Sequence, residues 1–129
     1  MADRDEPVEP TAIALRRALR DTGALWLFTC PACGRAHHPP RALCPHCGAT
    51  GSAPRPVDPA GRVHSWTTIH RVGARPSQQR TPYTVVLVEL ARGVRILANA
   101  PGDRAPAIGD LVTVTVRPEG EDDVSLWLA

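Results

Sequence analysis

The chain contains no lysine, and all fifteen of its basic residues are arginine. Schiff-base catalysis and general-base catalysis by lysine are therefore excluded. Aromatic side chains are scarce too, since three Trp, one Tyr and one Phe are all that 129 residues contain. A protein that binds single-stranded nucleic acid needs stacking rings on its sheet face, so this scarcity weighs against that function without excluding it.

Long apolar runs are also absent. Apolar residues come in short runs that Arg, Gly, Pro or Asp interrupts, and none approaches the length of a membrane-spanning helix. No apolar signal segment precedes the cysteines. The sequence therefore predicts a cytoplasmic protein with no membrane partner.

A set of catalytic side chains is missing as well. The sequence has no G-x-S-x-G motif and no Gly-rich phosphate loop, and its carboxylates gather near the two termini. The cysteines have another use, described next, so no nucleophile with a neighbouring base can be assembled. We expect this chain to have no catalytic activity on its own.

The most specific signal in the sequence is a repeated C-x-x-C motif. Cys30 and Cys33 lie in CPACG, Cys44 and Cys47 lie in CPHCG, and ten residues separate the pairs. Two thiolates three positions apart reach one metal when the turn between them points backbone amides at the sulfurs. The Pro of each motif suits the entry to such a turn, and Gly34 and Gly48 suit its exit. The spacing predicts one tetrahedral Zn(II) site. The alternative, disulfides or free thiols, is less favoured because no oxidising compartment is indicated.

The predicted zinc is structural. Four thiolates fill the coordination sphere and leave no position for a water or a substrate. Three nearby histidines are expected to be surface imidazoles rather than ligands: His37, His38 and His46. The metal is expected to supply about 10 kcal/mol or more of folding free energy to a segment of about 25 residues, which is too small to fold on apolar burial alone.

Charge is distributed unevenly along the chain. Residues 30–104 carry ten Arg against three acidic residues, a net charge of +7, whereas both ends are acidic. Such a patch suits an anionic partner, either nucleic acid or a phosphorylated cofactor. Well-solvated arginines without a partner are the alternative.

Residues 1–24 are predicted to form an acidic lead followed by a short helix. Thr11 is the expected N-cap, and Gly23 lies where a C-terminal glycine belongs, which gives a helix of about 11 residues. Leu15 and Leu19 fall on its apolar stripe. A helix this short is marginal alone, so the stripe needs a partner, either the rest of this chain or another protein. We expect Leu15 and Leu19 to dock on another protein.

The rest of the chain is predicted to form two units. Residues 25–52 form the zinc ribbon, and the proline-rich segment 53–59 reads as a stiff connector. Residues 57–129 have the period of strands and form a second domain. Five strands follow one another there without a helix: 63–72, 83–90, 94–98, 112–116 and 124–128. They favour a five-stranded antiparallel barrel of OB type, with Trp127 in its core.

A polar loop between the first two barrel strands carries three arginines, and this loop borders the usual ligand face of OB barrels. Arg71, Arg75 and Arg80 bracket the segment VGARPSQQRTP, where guanidinium groups suit phosphates of RNA or of coenzyme A. Trp66 is available as a platform nearby. We predict that these four residues contact coenzyme A or the acidic surface of a partner. The main alternative is a single-stranded nucleic-acid-binding module, whose affinity would fall steeply with salt.

The order of these pieces resembles a known family. The ribbon sequence CPACGRAHHPPRALCPHCG, followed by GRVHSWTTIHR, TPYTVVLVEL, GVRILAN and IGDLVTV, is similar to the acyl-CoA-associated family of rubredoxin-like zinc-ribbon/OB-fold proteins. The resemblance runs from about residue 19 to residue 116. Its more specific parts are P-P-R-x-x-C-P-x-C-G at 39–48 and VELARGVRILAN, which ends at Asn99.

The resemblance implies an accessory role in acyl-CoA metabolism. Such proteins are similar to small subunits that dock on thiolase-fold enzymes, including C-acyltransferases and retro-aldolases, and to domains fused to acyl-CoA hydratases. The catalytic residues then belong to the large partner, while the zinc/OB subunit stabilises that partner and helps to shape its acyl-CoA site. A free-standing acyl-CoA binder ranks lower, because a small barrel holds only part of a coenzyme.

Overall fold

The computed structural model describes residues 10–74, 78, 80–102 and 105–129. It has one α-helix, a 3₁₀ turn at Ala91–Gly93 and eight strands in these residues. The elements in chain order are α1 (Pro10–Thr22), β1 (Trp26–Thr29), β2 (Ala36–His37), β3 (Ala53–Pro56), β4 (Ala60–Ile69), β5 (Tyr83–Leu90), β6 (Arg95–Ala100), β7 (Leu111–Glu119) and β8 (Asp123–Leu128). The predicted mainly-β fold with one short N-terminal helix is confirmed.

Helix α1 ends where the sequence predicts but begins earlier. Gly23 has a φ of 68° and donates its N–H to the Leu19 carbonyl at 3.0 Å, as a C-terminal glycine does. Thr11 lies inside the helix, so its prediction as N-cap is wrong; Pro10 starts the helix, because its fixed φ and missing N–H suit the first turn. No helical segment of the described chain has both the length and the apolar character that a bilayer-spanning helix needs.

The apolar stripe of α1 packs on the chain itself. Leu15 and Leu19 are only 5% and 7% exposed, and both belong to the same core cluster as residues of the ribbon and the barrel. The prediction that these two leucines dock on another protein stays a prediction. The rest of the chain is the partner that the stripe requires, so burial inside one chain stabilises a helix too short to persist alone.

The ribbon contains a small sheet of its own, with strand order β2-β1-β3. Strand β3 pairs with the whole of β1, so the prediction of residues 53–56 as a connector is wrong. Pro54 and Pro56 are the reason that the sequence does not predict this strand. They are tolerated because β3 pairs on one side only, and an edge strand can lack N–H groups on its outer side.

The five strands predicted for the second domain are all present and close into a barrel in the order β4-β5-β6-β8-β7. One joint differs from the antiparallel prediction, since β6 pairs with β8 in parallel at Asn99 and Trp127. Strand β4 pairs with two neighbouring strands. Its first residues pair with β7 and most of its length pairs with β5, with a register shift between Val63 and Ser65 that allows the strand to bend.

One hydrophobic core joins all three parts of the molecule. Alternate residues of β5 point inward, and those of β6 do the same. The cluster combines these barrel residues with Leu25, Leu27 and Phe28 of the ribbon and the two leucines of α1. Trp127, predicted to be in the core, is instead half-buried and lies outside this cluster.

Gly61 offers a direct test of the tight packing in the barrel. It pairs with Leu90 on one side and Val112 on the other, and a Cβ at this position would lie 2.7 Å from the Glu89 carbonyl oxygen. Because that atom is backbone, it cannot rotate away. We expect Gly61→Ala to lower the free energy of unfolding by about 1–3 kcal/mol, measured by denaturant or thermal unfolding.

The exposed neighbour supplies the control for this measurement. Ala60→Ser should leave the unfolding midpoint almost unchanged, because Ala60 faces solvent. Equal midpoints for Gly61→Ala and the unmodified protein would contradict the packing described above.

Candidate metal centre and ligand-facing surfaces

The two C-x-x-C segments fold into matching turns. The Gly34 N–H donates to the Cys30 carbonyl at 2.9 Å, and the Gly48 N–H donates to the Cys44 carbonyl at 2.8 Å. Both glycines have positive φ, 74° and 77°, which L side chains rarely adopt. The predicted role of the glycines at the exits of the turns is thus confirmed. In the second turn the backbone N–H of His46 lies 3.4 Å from the Cys44 sulfur and donates to it.

The turns bring the four sulfurs into one cluster. The Sγ atoms of Cys30 and Cys47 are 3.6 Å apart, those of Cys33 and Cys44 are 3.7 Å apart, and all four lie within 4.8 Å of one another. A tetrahedron with metal–sulfur bonds of 2.3 Å has sulfur–sulfur edges of about 3.8 Å. No pair approaches the 2.05 Å of a disulfide. The cluster is a metal-binding arrangement of the ribbon type.

The electrostatics of the cluster favour a cation at its centre. A hydrogen bond from the backbone N–H of Cys33 lowers the pKa of Cys30 to about 6. The backbone N–H of Ala49 acts in the same direction on Cys47, but hydrogen bonding with the Cys30 sulfur, burial and the other thiols together raise the pKa of Cys47 to about 11. Four thiolates this close repel one another, and a divalent cation offsets that repulsion. The residues present therefore fit a tightly bound metal.

The histidines of the ribbon are not alike. His46 is exposed, as predicted. His37 is buried, so its prediction as a surface imidazole is wrong: its ring packs edge-on against Phe28, and its Nε2 lies 3.1 Å from the Ser52 hydroxyl. Phe28 and His37 are direct cross-strand partners in β1 and β2, which explains this contact. Among the described residues, the cluster of potential metal ligands contains only the four cysteines.

The structure describes three of the four residues predicted to contact coenzyme A or a partner. Trp66 is 42% exposed on β4, and Arg71 is exposed just after that strand. Arg80 is exposed just before β5 and lines a hollow that neither Trp66 nor Arg71 lines. Arg75 lies outside the described residues. A single contact surface formed by these four residues therefore stays a prediction.

The hollow beside Arg80 contains two aromatic side chains. It has a volume of about 590 Å³ and is lined by Arg80, Thr81, Pro82, Tyr83, Ala100, Gly102 and Trp127. Sequence reasoning missed Trp127 because the run VSLWL reads as core. The alternation of that run places Trp127 on the same face as Ser125, opposite Leu126 and Leu128, and this is the signal that identifies it.

A second concave surface lies where the three parts of the molecule meet. This groove has a volume of about 540 Å³ and is lined by α1, by His38 and Pro40 of the ribbon, and by barrel residues that include Ile69, Val85 and Leu97. Leu97 is 60% exposed on the outer face of β6. We call this surface the three-way groove.

Comparison with known proteins identifies the family. Residues 17–52 match the model "ChsH2, rubredoxin-like zinc ribbon domain", and residues 54–117 match "ChsH2, C-terminal OB-fold domain". A DUF35 domain-containing scaffold protein of Methanothermobacter thermautotrophicus is 34% identical over 102 residues, which cover 74% of this chain and 75% of that protein. The chain belongs to the ChsH2/DUF35 family.

Two further similar proteins carry enzyme names, and a third has no stated function. A structure described as an "Ltp2-ChsH2(DUF35) aldolase" superimposes with a TM-score of 0.76 and 26% identity, over 95% of this chain and 97% of that one. A probable enoyl-CoA hydratase alpha subunit of Thermomonospora curvata is 32% identical over 104 residues, 73% of this chain. A DUF35 family protein of unknown function from Sulfolobus solfataricus shares the fold, with a TM-score of 0.61, 19% identity, and coverage of 99% of this chain and 92% of that one.

The chain spans only part of these curated relatives, about a third of the Thermomonospora protein and three quarters of the Methanothermobacter protein. The family models cover the ribbon and most of the barrel but stop at residue 117. The last barrel strand, which carries Trp127, lies beyond the matched region.

Ligand substitution tests the metal centre. We expect reductively prepared protein to hold one tightly bound metal ion per chain, and Cys44→Ser to lose it, because three thiolates no longer fill a tetrahedral site. The measurement is the metal-to-protein ratio by elemental analysis, with the amide NMR spectrum of the ribbon as a second readout. His46→Ala is the matched control and should keep the metal, since this exposed imidazole is not a ligand. Equal metal loss in both variants would show that the ligand set is not four cysteines.

Proposed function

We propose that the chain is a non-catalytic accessory subunit of a thiolase-like acyl-CoA enzyme, either a C-acyltransferase or a retro-aldolase, in the cytoplasm. It stabilises that enzyme and helps to shape the site that receives the acyl-CoA. The observation that carries this proposal is the likeness to the Ltp2-ChsH2(DUF35) aldolase, which extends over 95% of this chain. The scaffold and hydratase-subunit names of the other relatives support the same accessory role.

The chemistry of the chain supports a role without catalysis. The four thiolates of the ribbon together fill the coordination sphere of one metal, so this site offers no open position for a reacting group. We assign the metal as zinc, because four thiolates in a tetrahedral arrangement suit Zn(II). Its contribution is to fold the ribbon and to hold the segment around His38 and Pro40, which forms one wall of the three-way groove.

The three-way groove is the surface that we propose for the enzyme partner. Leu15 and Leu19 of α1 are part of its lining, although their side chains are only 5% and 7% exposed. Leu97, Val85 and Ile69 give its floor an apolar character, and exposed apolar side chains beside a concave surface are typical of interaction sites. Because helix, ribbon and barrel all line it, an enzyme that binds there contacts all three parts and requires them to be assembled.

Copurification from the native host tests the accessory role. A thiolase-sized protein recovered in stoichiometric amount, identified by mass spectrometry, is the expected result. Recovery of RNA with the chain, released by raising the salt concentration, would instead establish the nucleic-acid-binding alternative.

A pair of substitutions locates the docking surface. Leu97→Glu places a charge in the three-way groove, and we expect at least a tenfold loss of affinity for the enzyme partner, since a buried unpaired carboxylate is costly at an interface. Binding is measured by pull-down or calorimetry with the purified partner.

The control uses the same substitution at another exposed leucine. Leu111 is 75% exposed at the start of β7 and does not line the groove, so Leu111→Glu should bind as the unmodified chain does. Loss of binding in Leu111→Glu with normal binding in Leu97→Glu would place the interface at Leu111 and not in the three-way groove.

A further inference from the structure

Two of the five aromatic side chains of this protein meet in one hollow. Tyr83 opens β5 and Trp127 lies near the end of β8, more than forty residues later, yet both line the same space beside Arg80. A chain with so few rings gains nothing in core packing from placing two of them at a half-buried surface. Their position therefore points to a ligand with a planar aromatic part.

The indole of Trp127 is held in place by neighbours on its own face of the barrel. Its Nε1–H donates to the Ser125 hydroxyl at 2.9 Å, and the guanidinium carbon of Arg117 lies over the ring, 4.6 Å from its centroid. Trp127 lines the hollow and Arg117 does not, so the guanidinium group contacts the ring from outside the hollow. A ring fixed in this way is preorganised for stacking, which reduces the entropy lost on binding.

The charge of the hollow suits an anion. Arg80 lines it, and none of the described residues that line it is acidic. Arg117 adds a second guanidinium group next to the indole. Hydroxyl groups of Thr81 and Tyr83 provide hydrogen-bonding partners. A planar ring system joined to phosphates therefore matches both the aromatic and the cationic sides of the hollow.

We propose that this hollow binds an adenine nucleotide, with the base on Trp127 and phosphate at Arg80, and that its ligand is the 3′-phospho-ADP part of coenzyme A. The choice of coenzyme A among adenine nucleotides rests on the proposed function. A volume of about 590 Å³ fits part of a coenzyme but not all of it, so the pantetheine arm and its acyl group extend away towards the enzyme partner. A nucleic-acid strand would need further platforms in line, and Trp66 does not line the hollow.

The three tryptophans make the proposal measurable by NMR. The indole N–H signals of Trp26, Trp66 and Trp127 are recorded on the full, metal-loaded chain, and Trp127→Phe assigns the relevant signal. Titration with 3′,5′-ADP and with coenzyme A should shift the Trp127 signal saturably, with similar affinities. Pantetheine, which lacks the nucleotide, should leave it unmoved.

Substitutions then separate stacking from phosphate binding. Trp127→Leu should weaken 3′,5′-ADP binding about tenfold or more, because a base–aromatic stack is lost, while Trp127→Phe should retain part of it. Arg80→Gln should weaken binding of 3′,5′-ADP more than binding of adenosine. Arg80 is exposed, so this variant tests the proposal even if Trp127→Leu fails to fold. Arg62→Gln is the matched control for Arg80→Gln and should bind as the unmodified chain does.

Several results would overturn the assignment. They are an unmoved Trp127 signal at millimolar coenzyme A, an equal response to pantetheine, an effect of Arg62→Gln as large as that of Arg80→Gln, or oligoadenylate binding far more tightly than 3′,5′-ADP. The copurification experiment is independent of these measurements. If the chain captures the enzyme but does not bind the nucleotide, only the proposal for the hollow is contradicted. If it binds 3′,5′-ADP but captures no enzyme, only the accessory role is contradicted.

Discussion

The four-sulfur cluster is the constraint on which the rest of the molecule depends. The ribbon sheet has strands of four, two and four residues, too short to fold by their own hydrogen bonds and apolar contacts. A metal held by Cys30, Cys33, Cys44 and Cys47 ties the two turns together and thereby fixes the strands between and beside them. The three-way groove inherits this dependence, because one of its walls belongs to the ribbon.

Ribbon and barrel are then joined by more than a linker. Strand β3 enters the ribbon sheet directly before β4 enters the barrel, and the two units share one core. Arg92 adds a contact from the barrel side: it adopts a left-handed φ of 63° and points a guanidinium N–H at the Gly34 carbonyl, 3.4 Å away. A non-glycine residue in this region costs of order 1 kcal/mol, so the surroundings must hold it there. The ribbon is thus placed against the barrel rather than tethered to it.

The sequence predicted those features that depend on local pattern. The thiolate spacing, the glycine exits of the turns and the five barrel strands follow from short-range periodicity and turn chemistry, and they are confirmed. The errors concern tertiary context. Pro54 and Pro56 argue against a strand unless the strand is known to lie at an edge, and the apolar stripe of α1 cannot itself say which surface covers it. His37 is expected at the surface but is buried, whereas Trp127 is expected in the core but is half-buried. The reason is the same, since burial depends on which strands become neighbours.

The abundance of arginine has a structural explanation that composition alone does not reveal. Arg20 donates to the Asp123 carbonyl, Arg62 to the Gly109 carbonyl, and Arg95 pairs with Glu89 across two strands. Arg117 and Arg92 add the ring and ribbon contacts already described. A guanidinium group donates in a plane from five N–H groups, so it can link loops to strands where lysine would offer one mobile point charge. Three of the ten arginines in residues 30–104, Arg62, Arg92 and Arg95, thus have contacts within the chain, so part of the charge excess there has a structural role. What remains informative is the placement of Arg80 beside two rings, because there the charge faces a space that the chain does not fill.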